Sequence, residues 1–147
     1  MSLKEQLTTA MKDAMRAKQS ERLGTLRMLL SAIKNKEIEK REEVDDSVVI
    51  DVLSSFVKQR REAADVYRKN DRSDMADTEE IELAIAQEFL PVQLSEEEVS
   101  SLVDEVVAEL AAASMKDMGQ VMKVLTEKTK GRADGKLVSN LVRAKLQ

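Results

Sequence analysis

The sequence of 147 residues contains no cysteine and no histidine. Without cysteine the chain cannot form a disulfide framework, a thiolate metal site or a cysteine nucleophile. Without histidine it also lacks the commonest general base and the commonest metal ligand, which leaves carboxylates, Lys, Ser, Thr and one Tyr for any chemistry. We therefore expect no catalytic residues, no metal site and no cofactor in the isolated chain.

Proline, glycine and aromatic residues are also scarce. There is one Pro, there are four Gly, and aromatics make up 2% of the residues, whereas 35% are charged. Sheets are enriched in aromatic and β-branched residues, and exposed amphipathic helices are enriched in charged ones. The composition predicts an all-α fold.

Long apolar runs are absent as well. No run reaches the roughly 20 residues that span a bilayer, and the N-terminus lacks a cationic stretch followed by an apolar segment. These absences predict a cytoplasmic chain with no membrane partner.

Charge is arranged in three blocks that the net charge of −4 conceals. Residues 1–72 contain 16 Lys/Arg and 13 acids, residues 73–114 contain 12 acids and no Lys or Arg, and residues 115–147 contain eight Lys/Arg and three acids. Segregation of this kind can direct one face of a molecule towards a polyanion, even when the total charge is negative.

Side chains that cap helix N-termini recur before runs of apolar residues at helical spacing. The caps that we assign are Ser2 with Glu5, Ser20, Asp46 or Ser47, Asp77 with Glu80, Ser95 with Glu98, Asp117, and Asp134. Pro91 restricts the residue before it to extended conformations, so Leu90 to Gln93 is a natural linker. We predict two small helical bundles joined by a short linker near Pro91, with an N-terminal bundle over 1–92 and a three-helix domain over 93–147.

Five cations of the C-terminal tail are candidates for contact with nucleic-acid phosphates: Lys123, Lys130, Arg132, Lys136 and Arg143. Lysine and arginine displace the counterions condensed on nucleic acid. Residues 130–136 also place two flexible glycines among three cations, and such a loop can bring backbone N–H groups to a phosphate. No aromatic residue follows Phe89, so unpaired bases cannot stack on the tail. The pattern indicates contact with the backbone of a folded RNA.

A structural alternative explains the same cations. In it, the tail is a solvated helical hairpin whose cations pair with the acidic block at 73–114. Charge alone favours this alternative, because runs of surface charge are common.

A secondary basic cluster lies in the segment KQRRE and consists of Lys58, Arg60 and Arg61. Arg60 falls on the apolar face of the predicted third helix. An arginine in this position is most often half-buried by its stem and paired with an acid of a neighbouring helix. We predict that arrangement for Arg60.

Several segments together resemble the small bacterial YqeY-like proteins over nearly the whole chain: RLGTLRMLLSAIKNKEIEK, KQRREAA, FLPVQLSEEE, GQVMK, GRADGK and LVSNLVRAKL. The last three also resemble the tail domain of the B subunit of the tRNA-dependent amidotransferase (GatB), although that tail often has Asn-Pro where this chain has Asp134-Gly135. The resemblance implies two helical bundles and a tail of the kind that contacts the body of tRNA. It also associates the chain with glutamine-dependent carbon–nitrogen ligases.

Three functions follow as hypotheses. The first is a non-catalytic accessory module that binds tRNA or another folded RNA. The second is a scaffold in which the wide apolar stripe of the second helix, or the acidic block, docks a protein such as an aminoacyl-tRNA synthetase. The third, a component of a carbon–nitrogen ligase, rests on the family resemblance alone, because the sequence offers no nucleophile and base for it.

Overall fold

The computed structural model describes residues 1–147 and contains seven α-helices and no strand, which confirms the predicted all-α fold. The helices are α1 (Leu3–Arg16), α2 (Ser20–Lys40), α3 (Asp46–Lys69), α4 (Ser73–Gln87), α5 (Glu96–Glu109), α6 (Met118–Thr129) and α7 (Gly135–Leu146). A 3-10 turn, Met115–Asp117, precedes α6. None of these helices combines the length and the apolarity needed to cross a membrane.

The chain divides into two compact units, residues 1–90 and residues 91–147. The N-terminal unit holds α1 to α4 and the C-terminal unit holds α5 to α7. Pro91 and Val92, which we assigned from the sequence to the N-terminal bundle, pack with the C-terminal unit.

The N-terminal unit is built around α2, which contacts α1, α3 and α4. Its residues Leu26, Leu29 and Ile33 are fully buried among apolar side chains of the other three helices. Burial of each such side chain contributes about 1.5–3 kcal/mol. Three neighbours explain why the apolar stripe of α2 is wide.

The helix starts that depend only on local hydrogen bonds are as predicted. Ser2 and Glu5 form a capping box at α1, and Ser95 and Glu98 form another at α5. The Asp134 side chain accepts from the backbone N–H of Lys136 at 3.2 Å and caps α7.

The predicted start of α4 is wrong. Asp77 and Glu80 do not form a capping box, because α4 already begins at Ser73 and both residues lie within it. Their carboxylates instead pair with the Arg68 guanidinium, at 3.1 Å and 2.7 Å. Contacts between α3 and α4 therefore use the side chains that the sequence pattern assigned to a cap.

Three further caps differ in detail. Ser20 is the first residue of α2, which has no side-chain cap. Asp45, not Asp46 or Ser47, caps α3 by accepting from Val48 N. Asp117 precedes α6, but its carboxylate accepts from the N–H groups of the loop residues before the 3-10 turn and leaves the first turn of α6 without a side-chain cap.

Arg60 is held between two carboxylates, as predicted. Its Nε lies 2.7 Å from Glu82 Oε2 and 3.2 Å from Glu79 Oε2, and its guanidinium carbon lies 4.3 Å from the centroid of the Phe56 ring. Partial burial and a cation–π contact strengthen such a pair. The charge of Arg60 is therefore used in joining α3 to α4.

An ion pair between α1 and α2 predicts an acid sensitivity of the N-terminal unit. Lys4 Nζ lies 2.8 Å from a Glu37 carboxylate oxygen, and this contact lowers the pKa of Glu37 below its ordinary value of 4.5. A lowered folded-state pKa stabilises the fold above about pH 4.5, and this contribution is lost as pH falls through the folded-state value. We expect Lys4→Met to reduce the loss of stability between about pH 5 and pH 3, measured by urea denaturation.

The matched control is Lys12→Met, because Lys12 lies on the same helix, is exposed and has no carboxylate within ion-pair distance. It should leave the pH profile unchanged. Equal profiles for wild type and Lys4→Met would show that the ion pair does not contribute.

Candidate nucleic-acid interface

The C-terminal unit is a three-helix arrangement with its own core. The buried residues are Val99, Val103 and Val106 of α5, Val121 and Leu125 of α6, and Val138, Val142 and Leu146 of α7. Each helix buries one face at helical spacing, so its opposite face remains in solvent. The candidate cations lie on such outward faces or in the loop between α6 and α7.

Three of the five candidate cations are exposed: Lys123 on α6, and Lys136 and Arg143 on α7. None of the three has a carboxylate within ion-pair distance. Lys136 and Arg143 are seven residues apart, which places them on the same side of α7, about two turns from each other. They are free to meet an anion.

The loop between α6 and α7 is fixed, contrary to the flexible loop that we expected from its glycines. The Gln93 side-chain amide donates to Gly131 O at 2.6 Å, and Leu94 N donates to Arg132 O at 2.7 Å. Arg132 Nε in turn donates to Val92 O at 3.2 Å. The segment before α5 therefore ties down the loop through three hydrogen bonds.

The other two candidate cations belong to this fixed loop and are partly buried. Arg132 is bonded to Val92, and its charge is a further influence that lowers the pKa of Glu98, after hydrogen bonds from the Ser95 backbone and from its side chain. Lys130 also has an interaction partner. Arg132 and Lys130 thus have structural contacts besides any contact with RNA.

Backbone N–H groups of the loop are not arranged for a phosphate. Arg132 N and Ala133 N both donate to Thr129 O, at 2.8 Å and 3.2 Å. The Asp134 carboxylate stands at the start of α7, where it complements the helix dipole and repels another anion. Contact with a phosphate would therefore depend on the cationic side chains.

Charge within the C-terminal unit is segregated by helix. Residues 91–147 contain eight Lys/Arg and nine acids, and six of the acids lie on α5, which has no cation. Lys145 of α7 pairs with Asp104 of α5 at 3.2 Å, as the structural alternative requires. The exposed cations of α6 and α7 remain outside that pairing.

Comparison with known proteins places this fold in a family. The model of a family described as Yqey-like protein matches residues 4–146, which is nearly the whole chain. The chain belongs to the Yqey-like protein family. This confirms the membership that the sequence motifs indicated.

Relatives of this Yqey-like chain include fungal proteins named altered inheritance of mitochondria protein 41, mitochondrial. The one from Eremothecium gossypii is 39% identical over 104 residues, which cover 68% of this chain and 56% of the relative. The one from Saccharomyces cerevisiae is 30% identical over 80% of this chain and 65% of its own length. The chain thus spans between about half and two thirds of these relatives, and because their names say mitochondrial, its cytoplasmic location stays a prediction.

A second kind of relative belongs to an enzyme. One subunit of the glutamyl-tRNA(Gln) amidotransferase of Thermococcus gammatolerans is 48% identical over 67 residues. The matched segment covers 43% of this chain and 11% of that relative. The similarity to the amidotransferase is therefore limited to a small part of a larger protein.

The secondary basic cluster is not a set of free cations. Lys58 is exposed, whereas Arg60 lies between Glu79 and Glu82, and Arg61 is partly buried with a partner of its own. Lys58 is therefore the member best placed to meet a polyanion.

Gln93 was not among the residues that the sequence pattern singled out for this region. Its amide is 38 residues from the carbonyl that it binds, and no local pattern connects a linker glutamine to a distant glycine. A hydrophilic residue at an exposed linker position was the only available signal.

Two glycines of the loop region are predicted to respond in opposite ways to alanine. Gly131 has φ of 70°, where a Cβ is strained, so Gly131→Ala should destabilise the unit by about 1 kcal/mol. Gly135 begins α7 and a Cβ there would meet nothing within 4 Å, so Gly135→Ala should stabilise it by about 0.5 kcal/mol. Urea denaturation measures both, and a loss of stability in Gly135→Ala would contradict the open space seen there.

Proposed function

We propose that this Yqey-like chain is an accessory module that binds tRNA or another folded RNA through the cations of α6 and α7. The observation that carries the proposal is that Lys123, Lys136 and Arg143 stay exposed and unpaired in a unit with more carboxylates than cations. A hairpin whose cations served only to hold it against acidic neighbours would use these side chains in ion pairs.

The form of the surface restricts the kind of RNA. The C-terminal unit has no aromatic residue, so it offers no platform on which an unpaired base can stack. Cations on helices can instead follow the phosphates of a folded RNA, which is recognised by its shape. Similarity to part of an enzyme that is named for glutamyl-tRNA(Gln) supports tRNA as the first RNA to test.

We do not extend the amidotransferase reaction to this chain. The segment that it shares with the Thermococcus gammatolerans protein is 11% of that protein. The absence of cysteine and histidine also leaves no common nucleophile or base for the release of ammonia from glutamine. A binding role is the part of the relationship that the residues support.

The test is a titration of fluorescently labelled, unfractionated tRNA with the full chain at several salt concentrations, followed by anisotropy. Binding should weaken as salt rises, with a slope that falls by about one for each phosphate contact removed. Lys58→Glu is the comparator, because it changes the charge by the same amount outside the tail, and it should leave the slope unchanged. Failure of wild type to bind tRNA at low salt would overturn the proposal.

A further inference from the structure

A groove of about 350 Å³ lies between α2 and α4 in the N-terminal unit. Gly24, Thr25 and Met28 form the wall on α2, and Ile81 and Glu82 form much of the wall on α4. This groove is in a different unit from the proposed RNA surface and does not depend on it.

The groove is open because of what lies at its α2 wall. Gly24 has no side chain, and a Cβ built there would meet nothing within 4 Å. The neighbouring Thr25 is buried and donates its hydroxyl to Glu21 O at 3.2 Å, so that its polar atom needs no partner from outside. The groove is therefore roomy and has few unsatisfied polar atoms.

Apolar side chains from both helices remain uncovered at this groove. Met28 is 39% exposed and Ile81 is 51% exposed. Apolar surface that faces solvent gains about 25 cal/mol for each Å² that a partner covers. Methionine in particular adapts its shape to different apolar partners.

The charge around the groove is negative. Glu21 and Glu82 line it and no cation does. Helix α4 as a whole has five carboxylates and no Lys or Arg. The arginines nearest in sequence or contact are already paired, Arg22 with Glu88 at 2.6 Å and Arg60 with Glu82. Glu21 is exposed and has no such partner, so a cationic ligand complements this rim.

We propose that the groove docks an amphipathic helix of a partner protein, in which a row of aliphatic residues is bordered by Lys or Arg. Apolar grooves bind helices through anchors spaced three or four residues apart. The α2 wall from Ser20 to Met28 rises by about 12 Å, so a helix of about 12 residues with two or three anchors matches it. The aliphatic row covers Met28 and Ile81, and the cations lie near Glu21 and Glu82.

The test uses two synthetic stapled helices of about 14 residues and the full chain labelled at its methionine and isoleucine methyl groups. One helix has leucines on one face and lysines beside them, and the other has glutamates in place of the lysines. The lysine helix should shift the methyl signals of Met28 and Ile81 but not that of Met115, which is in the other unit. The glutamate helix should bind at least tenfold more weakly.

Variants on the two walls separate docking in the groove from binding elsewhere. Gly24→Gln fills the open space and should weaken the lysine helix at least tenfold with an unchanged circular dichroism spectrum. Gly119→Gln is the matched control, because its Cβ also meets nothing within 4 Å but lies on α6, and it should bind normally. Ile81→Gln, on the opposite wall, should reproduce the effect of Gly24→Gln.

Three results would overturn the proposal. The first is that the lysine helix leaves Met28 and Ile81 unshifted, and the second is that both helices bind equally. The third is a shift of the Met28 signal with protein concentration alone, which would identify a second copy of the chain as the occupant.

Discussion

Reversal of two charges on α7, Lys136→Glu together with Arg143→Glu, is expected to weaken tRNA binding by at least about tenfold at moderate salt. Both side chains are exposed and have no carboxylate partner, so their loss removes phosphate contacts without breaking an ion pair of the fold. Two acids in their place also repel the phosphates. The slope of log K against log salt should fall by about two. Anisotropy with labelled tRNA measures both quantities.

The control for this pair is Lys12→Glu together with Arg27→Glu, which makes the same change of net charge in the N-terminal unit. Lys12 and Arg27 are also exposed and unpaired. We expect less than a twofold change in tRNA binding from this control. Equal losses in the two double variants would show that net charge, and not the α7 surface, determines binding. Arg132 is left intact in both because its Nε holds Val92.

Leu125→Ala is expected to cost the C-terminal unit about 2–5 kcal/mol of unfolding free energy. Leu125 is fully buried among the valines of α5 and α7, and truncation leaves a cavity that the surrounding helices fill only in part. Because a small unit has little stability in reserve, a loss of this size is enough to populate its unfolded form. Urea denaturation gives the free energy, and tRNA binding should weaken in proportion to the unfolded fraction.

Hydrogen exchange locates this effect within the chain. The two cores consist of separate sets of buried residues, so Leu125→Ala should remove protection from amides of α5 to α7 and leave α1 to α3 protected. Leu110→Ala is the matched control, since Leu110 is 39% exposed and its truncation should change stability by less than about 0.5 kcal/mol. A cost below about 1 kcal/mol for Leu125→Ala would contradict the core described for the C-terminal unit.

Features set by neighbours in sequence were predictable, whereas features set by distant contacts were not. Ser95 and Glu98 form their capping box because both hydrogen bonds lie within one turn. Asp77 and Glu80 show the same spacing, yet Arg68 on α3 binds both carboxylates and α4 starts earlier. Local patterns could not distinguish these cases, because the difference is a contact between two helices.

The candidate site shows the same division. The outward positions of Lys136 and Arg143 followed from helical spacing. The fixed loop did not, because the hydrogen bonds from Gln93 and Leu94 reach residues 38 positions away. Glycines predict freedom in an isolated segment, and the partners that remove this freedom become visible only in the fold.

The most direct test of the RNA-binding proposal is a residue-by-residue footprint of unfractionated tRNA on the 15N-labelled full chain. We predict that amide signals around Lys123 on α6 and from Lys136 to Arg143 on α7 shift or broaden, and that signals of α1 to α4 do not. A footprint confined to the N-terminal unit, or no footprint at low salt, would contradict the assignment of the RNA surface to the C-terminal helices.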